Sequence, residues 1–401
     1  MAQDDPSGFL ASLRRDLADL ESRGLRRSLR VIDRVEATRI VVDRRTVVNF
    51  ASNDYLGLAA NPRVRAAAAN AILEQGWGDG ASRLLAGTRA VHAEAERRLA
   101  AFRGAEAALL FPSGYAANLG LLQALADPGA VIVSDALNHA SLIDACRLSR
   151  ARVVVYPHRD VAAARRALEE AGGASRRLVV TDAVFSMDGD LAPLPALLAA
   201  ARETGSVLVV DDAHGNGVLG AEGRGTLEAL GIDPAAPDVV VTATLSKAFG
   251  GTGGFVCGAR EVVDWLVTRA RTFIYTTGLV PAAAAAALAA LEVLETDPWR
   301  RQDVRAHARR LRTRLRDWRP ELAAAWSPES WEVPIVPVLV GGTAETLRAS
   351  ERLLALGFFA PAIRPPTVPE GTARLRLSLS AEHAERDLEA LAGAVCEALE
   401  A

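Results

Sequence analysis

The stretch DVVVTATLSKAFGG, residues 238–251, carries a fold signal and a chemical one in a single run. Its first half is β-branched and apolar at successive positions rather than at alternate ones, the pattern of a strand buried on both faces of a parallel sheet. It then turns polar, places Lys247 just past the strand end, and closes on glycines. Working outward, AALLF, AVIVSD, ARVVVY, RLVVTDAVFS, SVLVVDDAH and GFVCG repeat the strand pattern between about residues 105 and 260. Helical patterns such as YAANLGLLQALA, HASLIDACRLS, VAAARRALEEAG and LPALLAAARETG lie between several of them. This alternation predicts an α/β domain with a largely parallel sheet. In such sheets ligands collect beyond the carboxyl ends of the strands, so the polar residues there are the first to consider.

The flanks read differently. Residues 1–45 give an amphipathic helix and a short β segment, and residues 46–290 form the large α/β domain. Residues 291–401 alternate an Arg-rich helix, the strand VPIVPVLVG, a helix, the strand ARLRLSLS and a last helix from His383. The expectation is a smaller α+β domain built from both chain ends.

Composition narrows the function classes. The 401 residues carry 46 Lys plus Arg against 49 Asp plus Glu, a net charge of −3, which argues against a nucleic-acid or membrane-surface partner. Cys146, Cys257 and Cys396 are widely spaced, with no CxxC pair and no Cys/His cluster, so neither a disulfide framework nor a metal site is expected. The N-terminal residues show no apolar signal core, and the longest apolar tract, residues 279–294, is alanine-rich and shorter than a bilayer span. A cytoplasmic protein is the expectation.

Of the 46 cationic side chains, 45 are arginine and one, Lys247, is lysine. Arginine stays protonated, whereas a desolvated lysine can lose its proton and attack a carbonyl. A surface lysine could be solitary too, but Lys247 sits between a buried strand and a tight glycine loop. In VLVVDDAHGNG, Asp211 and Asp212 end the most apolar strand and His214 follows; Asp211 could pair with a cationic ring nitrogen, while either acid taken alone could be a strand-end cap. In FPSGYAANLG, Ser113 and Gly114 form a turn at a helix N-terminus, where free N–H groups favour phosphate. His139, in DALNHASLIDA, follows the next strand and could stack on an aromatic cofactor or simply cap a helix. A lysine, an acid, a phosphate turn and a stacking ring at neighbouring strand ends make up the parts of a fold-type I pyridoxal phosphate (PLP) enzyme.

These motifs resemble the α-oxoamine synthases along nearly the whole chain: NFASNDYLGL, LLFPSGYAANLG, LNHASLIDA, VFSMDGDLAPL, VVDDAHGNGVLGAEGRG, TATLSKAFGGTGG, FIYTT and AIRPPTVPEGTARLRLSLSA. The last block is most similar to the branch that serves biotin biosynthesis. The resemblance implies PLP as cofactor and Lys247, His139 and Asp211 as the catalytic set. Lys247 would bond the cofactor and act as acid and base, Asp211 would pair with the ring nitrogen, and His139 would stack on the ring. His214 would reach the cofactor's phenolic oxygen. Ser113, Gly114 and Tyr115 would hold the phosphate side, with Ser186 and Thr244 at further cofactor positions. Thr276 and Thr277 match a segment that reaches the phosphate of a neighbouring subunit, which implies a homodimer with its active site at the interface. Asn53, Arg364 and Arg27 match positions near the substrates, Arg364 being suited to a carboxylate.

The implied reaction condenses L-alanine with a pimeloyl thioester, from pimeloyl-CoA or pimeloyl-carrier protein, with loss of CO2. A sister synthase acting on another pair, such as glycine with acetyl-CoA, is the first alternative, and a non-catalytic subunit the second. Asn216, where relatives often carry Thr, and Asp79 and Ala81, in a loop usually richer in Gly or Ser, depart from the family pattern and bear on acyl-chain preference.

Overall fold

The computed structural model describes residues 8–400. An N-terminal meander of β1 (Ile32–Glu36), β2 (Arg39–Val42) and β3 (Arg45–Asn49) precedes the main sheet. That sheet comprises β4 (Ala107–Phe111), β5 (Val131–Asp135), β6 (Arg152–Tyr156), β7 (Arg177–Asp182), β8 (Val207–Asp211), β9 (Val239–Thr244) and β10 (Gly254–Gly258). Every one falls on a stretch that the apolar runs predict. The spatial order is β4-β10-β9-β8-β7-β5-β6. All pairings are parallel except those of β10, which runs antiparallel to both β4 and β9.

The apolar runs are continuous because each strand feeds two cores at once. β9 sends Val239, Val241 and Ala243 into one cluster and Val240 into the other; β8 divides Leu208 and Val210 from Val209 in the same way. This is the period-two alternation of a pleated strand with both faces covered. Helices Gly114–Leu125, Ala140–Ser149 and Arg260–Arg269 pack together on one side. Pro281–Thr296 packs against Pro62–Gln75 and Ala90–Arg103. Its proline occupies the first turn, where the missing N–H breaks no helical bond.

The C-terminal residues add β11 (Ile335–Gly341), β12 (Phe358–Phe359), β13 (Ala362–Ile363) and β14 (Ala373–Ser378). β12 joins the meander beside β3 in parallel, and β11, β14 and β13 form a separate antiparallel sheet. Residues 50–55 are the seam between these parts, since Ser378 N donates to Phe50 O and Ala381 N to Tyr55 O. Helix Phe9–Ser22 buries none of its residues. No helix among the described residues is long and apolar enough to cross a membrane.

Two consequences of the topology place the chemistry. The register sets Asp182, Asp211 and Thr242 side by side across β7, β8 and β9. The β14 strand, from the smaller sheet, directs two arginines toward the loop after β7.

Candidate active site

Beyond β9 the chain closes a tight loop: Leu245 N donates to Gly253 O, and Gly251 N to Leu245 O. Gly250 has φ +64°, and a Cβ there would lie 2.2 Å from Ala59 N, so only glycine permits this close approach. The loop presents Lys247, whose Nζ is 2.8 Å from Nε2 of His214. Burial lowers the lysine to about 8, against the opposing pull of the Asp211 and Asp182 carboxylates. His214 is itself buried and held well below the ordinary imidazole range, first by burial and then by Lys247 and Arg376. Its Nδ1 is 2.6 Å from the Tyr55 hydroxyl. Tyr55, His214 and Lys247 therefore form one hydrogen-bonded chain with a neutral imidazole in the middle.

The two adjacent acids have opposite surroundings. Asp211 accepts from the Asn118 amide at 2.7 Å and from Ala213 N at 3.0 Å. Asn118 also donates to the Ser141 hydroxyl, and that hydroxyl lies 2.7 Å from Nδ1 of His139. His139 is the N-cap of its helix, and its own N–H donates to Asp182 at 2.6 Å. Burial, with the Asp211 charge beside it, raises the Asp182 carboxyl well above the ordinary range. Asp212 instead is fully buried against Arg103 at 2.9 Å and accepts from both N and Oγ1 of Thr226. The geometry places Asp211, the acid expected to meet the cofactor, on the lysine's side and Asp212 in the interior. Asn216 joins the interior group, accepting from Arg103 and donating to Thr244 O.

A second close approach shapes the end of β4. Ser113 caps helix Gly114–Leu125 by accepting from Ala116 N. A Cβ on Gly254 would lie 2.5 Å from Gly114 N and Cα, so the helix start rests directly on β10. Thr244 and Ser246 border the same turn: their hydroxyls are 2.8 Å apart, and Thr244 lies against Gly114. Tyr115 is more exposed and donates to Asp144. This is a small cradle of first-turn N–H groups and hydroxyls, suited to a phosphate.

The opposite wall comes from β14. Arg376 is 5 % exposed, and its guanidinium donates to Ser186 O at 2.5 Å, Ser378 Oγ at 2.5 Å and Asn53 Oδ1 at 3.2 Å. None of these partners is a carboxylate, although its charge is felt by Tyr55, His214 and Lys247. Arg374 beside it is ion-paired with Asp188.

Of the residues expected from sequence, Lys247, Asp211, His139, His214, Ser113, Gly114, Thr244, Ser186 and Asn53 converge on this region. Arg364 does not join it: its guanidinium donates to Gly24 O and Arg26 O. Arg27 lies with it, bonded to Thr367. Thr276 and Thr277 sit with the 79–87 loop, where Gly278 N donates to Ala81 O. Arg376, Tyr55, Asn118 and Asp182 belong to the site and escaped the sequence reading. For Arg376 the alternation of arginine with leucine gave no signal, and only the burial of every position of β14 marks it out.

These residues fit PLP. Asp211 offers a carboxylate held by neutral donors and free to meet a cationic ring nitrogen, the cradle offers phosphate donors, and the lysine is poised to lose its proton. Known proteins agree. The sequence model of the family "Aminotransferase class I and II" matches residues 45–395. The chain is 49 % identical to an 8-amino-7-oxononanoate synthase of Geobacter sulfurreducens, covering 94 % of this chain and 95 % of that one. It is equally identical to the Burkholderia cenocepacia protein of the same name, over 98 % and 96 %. Among solved structures, the Sphingomonas wittichii serine palmitoyltransferase superposes with a TM-score of 0.89 at 32 % identity, over 99 % and 98 % of the chains. A serine palmitoyltransferase solved with its PLP internal aldimine gives 0.90 at 30 % identity, over 98 % of each. The chain belongs to the class I and II aminotransferase family and, within it, to the PLP-dependent α-oxoamine synthases.

Proposed function

We propose that this enzyme condenses L-alanine with a pimeloyl thioester, releasing CO2 and free thiol and giving 8-amino-7-oxononanoate. The observation that carries the reading is the pairing of a half-buried lysine, lowered to about 8, with a buried arginine that meets no carboxylate among the described residues. One is a base for a Cα proton and the other a receptor for a carboxylate. The names of the relatives at 49 % identity supply the substrate pair.

Bound PLP supplies the carbonyl that the amino acid's nitrogen engages and the ring that takes up negative charge. Asp211 would hold the ring nitrogen protonated, His139 would lie on the ring, His214 would serve the phenolic oxygen, and Ser113, Gly114, Tyr115 and Thr244 with Ser246 would hold the phosphate. Arg376 and Asn53 grip the alanine carboxylate. Lys247 removes the Cα proton, and the electron pair left on carbon attacks the thioester carbonyl, expelling the thiolate. The alanine carboxylate then leaves as CO2, and a proton from Lys247 returns to Cα. The Tyr55–His214 chain keeps the lysine's neighbour uncharged, so that its amine can cycle between neutral and protonated forms.

A second copy of the chain completes the site. Leu73, Trp77, Leu84, Leu85 and Tyr275 are large apolar residues left exposed around the segment that carries Thr276 and Thr277. Such a patch suits burial against another subunit, whose phosphate cradle those threonines would reach. Arg364 orders the N-terminal segment that brings Arg27 toward the acyl substrate.

Purified protein with PLP, alanine or glycine, and a panel of acyl thioesters from CoA and carrier protein tests the reading through thiol release and product mass. Alanine with a pimeloyl thioester should turn over fastest; faster turnover of glycine with acetyl-CoA would replace this reading with the sister activity.

A further inference from the structure

The loop of residues 185–190 lies between the main sheet and β14, and it is gripped from both sides. On the β14 side, Arg376 Nε donates to Ser186 O, Arg374 pairs with Asp188, and Gly189, at φ +66°, packs so closely that a Cβ would lie 2.5 Å from Ile335 O. On the other side stands His158, just past the end of β6. Its Nδ1 is 2.9 Å from Asp135 Oδ1 and its Nε2 is 2.9 Å from Asp190 Oδ2. The Phe185 ring meets the imidazole edge to face, with centroids 4.3 Å apart.

A neutral imidazole has one N–H, yet here each ring nitrogen faces a carboxylate. Only the imidazolium donates to both. Burial works against that charge, but the hydrogen bonds and charges of Asp135 and Asp190 outweigh it and hold the group at about 9. The other charged and titratable groups nearby face the same two acids. Arg159, on the same segment, donates its N–H to Asp135 and its guanidinium to Asp190, and lies 3.9 Å from Glu329. Tyr156, whose phenol is raised by burial and then by the Asp135 charge, and Asp182, whose carboxyl the Asp135 charge also raises, are further titratable neighbours of Asp135. Asp135 is anchored in turn by Leu137 N.

We propose that His158 is a positioning residue: as an imidazolium bridging Asp135 to Asp190 it fixes the 185–190 loop and, through the Ser186 carbonyl, the direction in which Arg376 meets the substrate carboxylate. The role rests on the reading of Arg376 as the carboxylate receptor. When His158 loses its proton, one ring nitrogen turns a lone pair toward a carboxylate, the bridge to Asp190 or Asp135 is lost, and the loop slackens. Because the folded-state value lies above the ordinary imidazole value, the stabilisation from this bridge is complete below about pH 6.5. It is lost as pH rises through about 9.

The holoenzyme provides the test, with KM for alanine and kcat measured at saturating pimeloyl thioester between about pH 7 and 10. His158→Gln should raise KM about five- to tenfold near neutral pH and leave kcat within about twofold, since a grip on ground and transition states alike is what weakens. The wild type should show a rise in KM through about pH 9 that the variant lacks, and a wild type without that rise would also overturn the proposal. Titration of alanine's own amine is common to both proteins and cancels in the comparison. Asp190→Asn, which leaves the histidine in place, should give the same two changes and serves where the glutamine variant does not fold. Folded variants with wild-type KM and the wild-type alkaline rise would overturn the proposal. Arg376→Lys separates the two levels: if it raises KM while His158→Gln and Asp190→Asn do not, the bridge alone is wrong. If Arg376→Lys leaves KM unchanged, the carboxylate reading fails and the bridge's role falls with it.

Discussion

At the end of β8, Asp211 and Asp212 are neighbours in sequence and lie in regions built to opposite rules. Asp212 is sealed: Arg103 and two donors from Thr226 meet its carboxylate, and Asn216 shares the arginine. Asp211 is left with neutral donors, an asparagine amide and one backbone N–H, on the side where Lys247, His139 and the phosphate turn converge. The first arrangement satisfies a charge within the protein. The second keeps a charge oriented but available, which is what a cofactor's cationic nitrogen needs. The same contrast separates the two β14 arginines, Arg374 being neutralised by Asp188 and Arg376 having no carboxylate partner among the described residues.

Breaking the open side should cost chemistry, and breaking the sealed side should cost stability. The largest effect belongs to Lys247→Ala, which should lower turnover by at least ~10⁴-fold, because both the covalent anchor and the base are removed. Its thermal midpoint should stay near that of the wild-type apoprotein, and retained thiol release would refute the assignment. Next comes the pair of acids. Asp212→Ala strands the Arg103 guanidinium and should destabilise by about 3–5 kcal/mol in denaturant unfolding. Asp211→Asn should leave stability within about 1 kcal/mol and lower kcat/KM by roughly 10²–10³-fold, through the lost electrostatic support. A reversal of these two outcomes would exchange the roles of the acids. The smallest effect sharpens the comparison: Asn118→Ala removes the amide that links Asp211 to Ser141 and His139. It should reduce kcat/KM about tenfold, the consequence of a buried acceptor left unmet, with a shift in the absorbance of the bound cofactor as an independent readout.

Most of this contrast was legible in the sequence, for a physical reason. Strands covered on both faces need unbroken apolar runs, and the residues that interrupt those runs at their carboxyl ends stand out: Lys247, Asp211, His139 and Ser113 were all found that way. Direction was not legible, since GFVCG reads the same for a parallel and an antiparallel strand, and β10 proved antiparallel. Arg376 was hidden by its context. In ARLRLSLS, arginines alternating with leucines imitate a solvated strand face, and only the packing of β14 against the 185–190 loop reveals that this face is interior. Arg364 drew attention instead because it matches a family position near the substrate and suits a carboxylate, yet its donors serve the backbone at Gly24 and Arg26. Tyr55, Asn118 and Asp182 act through partners far along the chain, and local pattern holds no trace of such pairings. The departures of Asn216 and Asp79 from the family pattern are taken up by the Arg103 group and by Arg89, inside the fold.

The contact of the half-buried Lys247 with His214 has a practical consequence. The chain offers amine-directed reagents one lysine side chain, and that side chain is the one the proposed chemistry depends on. Lysine modification therefore reports the site itself: the fraction of Lys247 that a small acylating probe reaches counts vacant sites in a preparation. Attachment of the enzyme to a support or a dye through native lysines would silence it. A lysine introduced on any arginine-covered surface would instead be an orthogonal handle, distinguishable from the native one by its ordinary basicity.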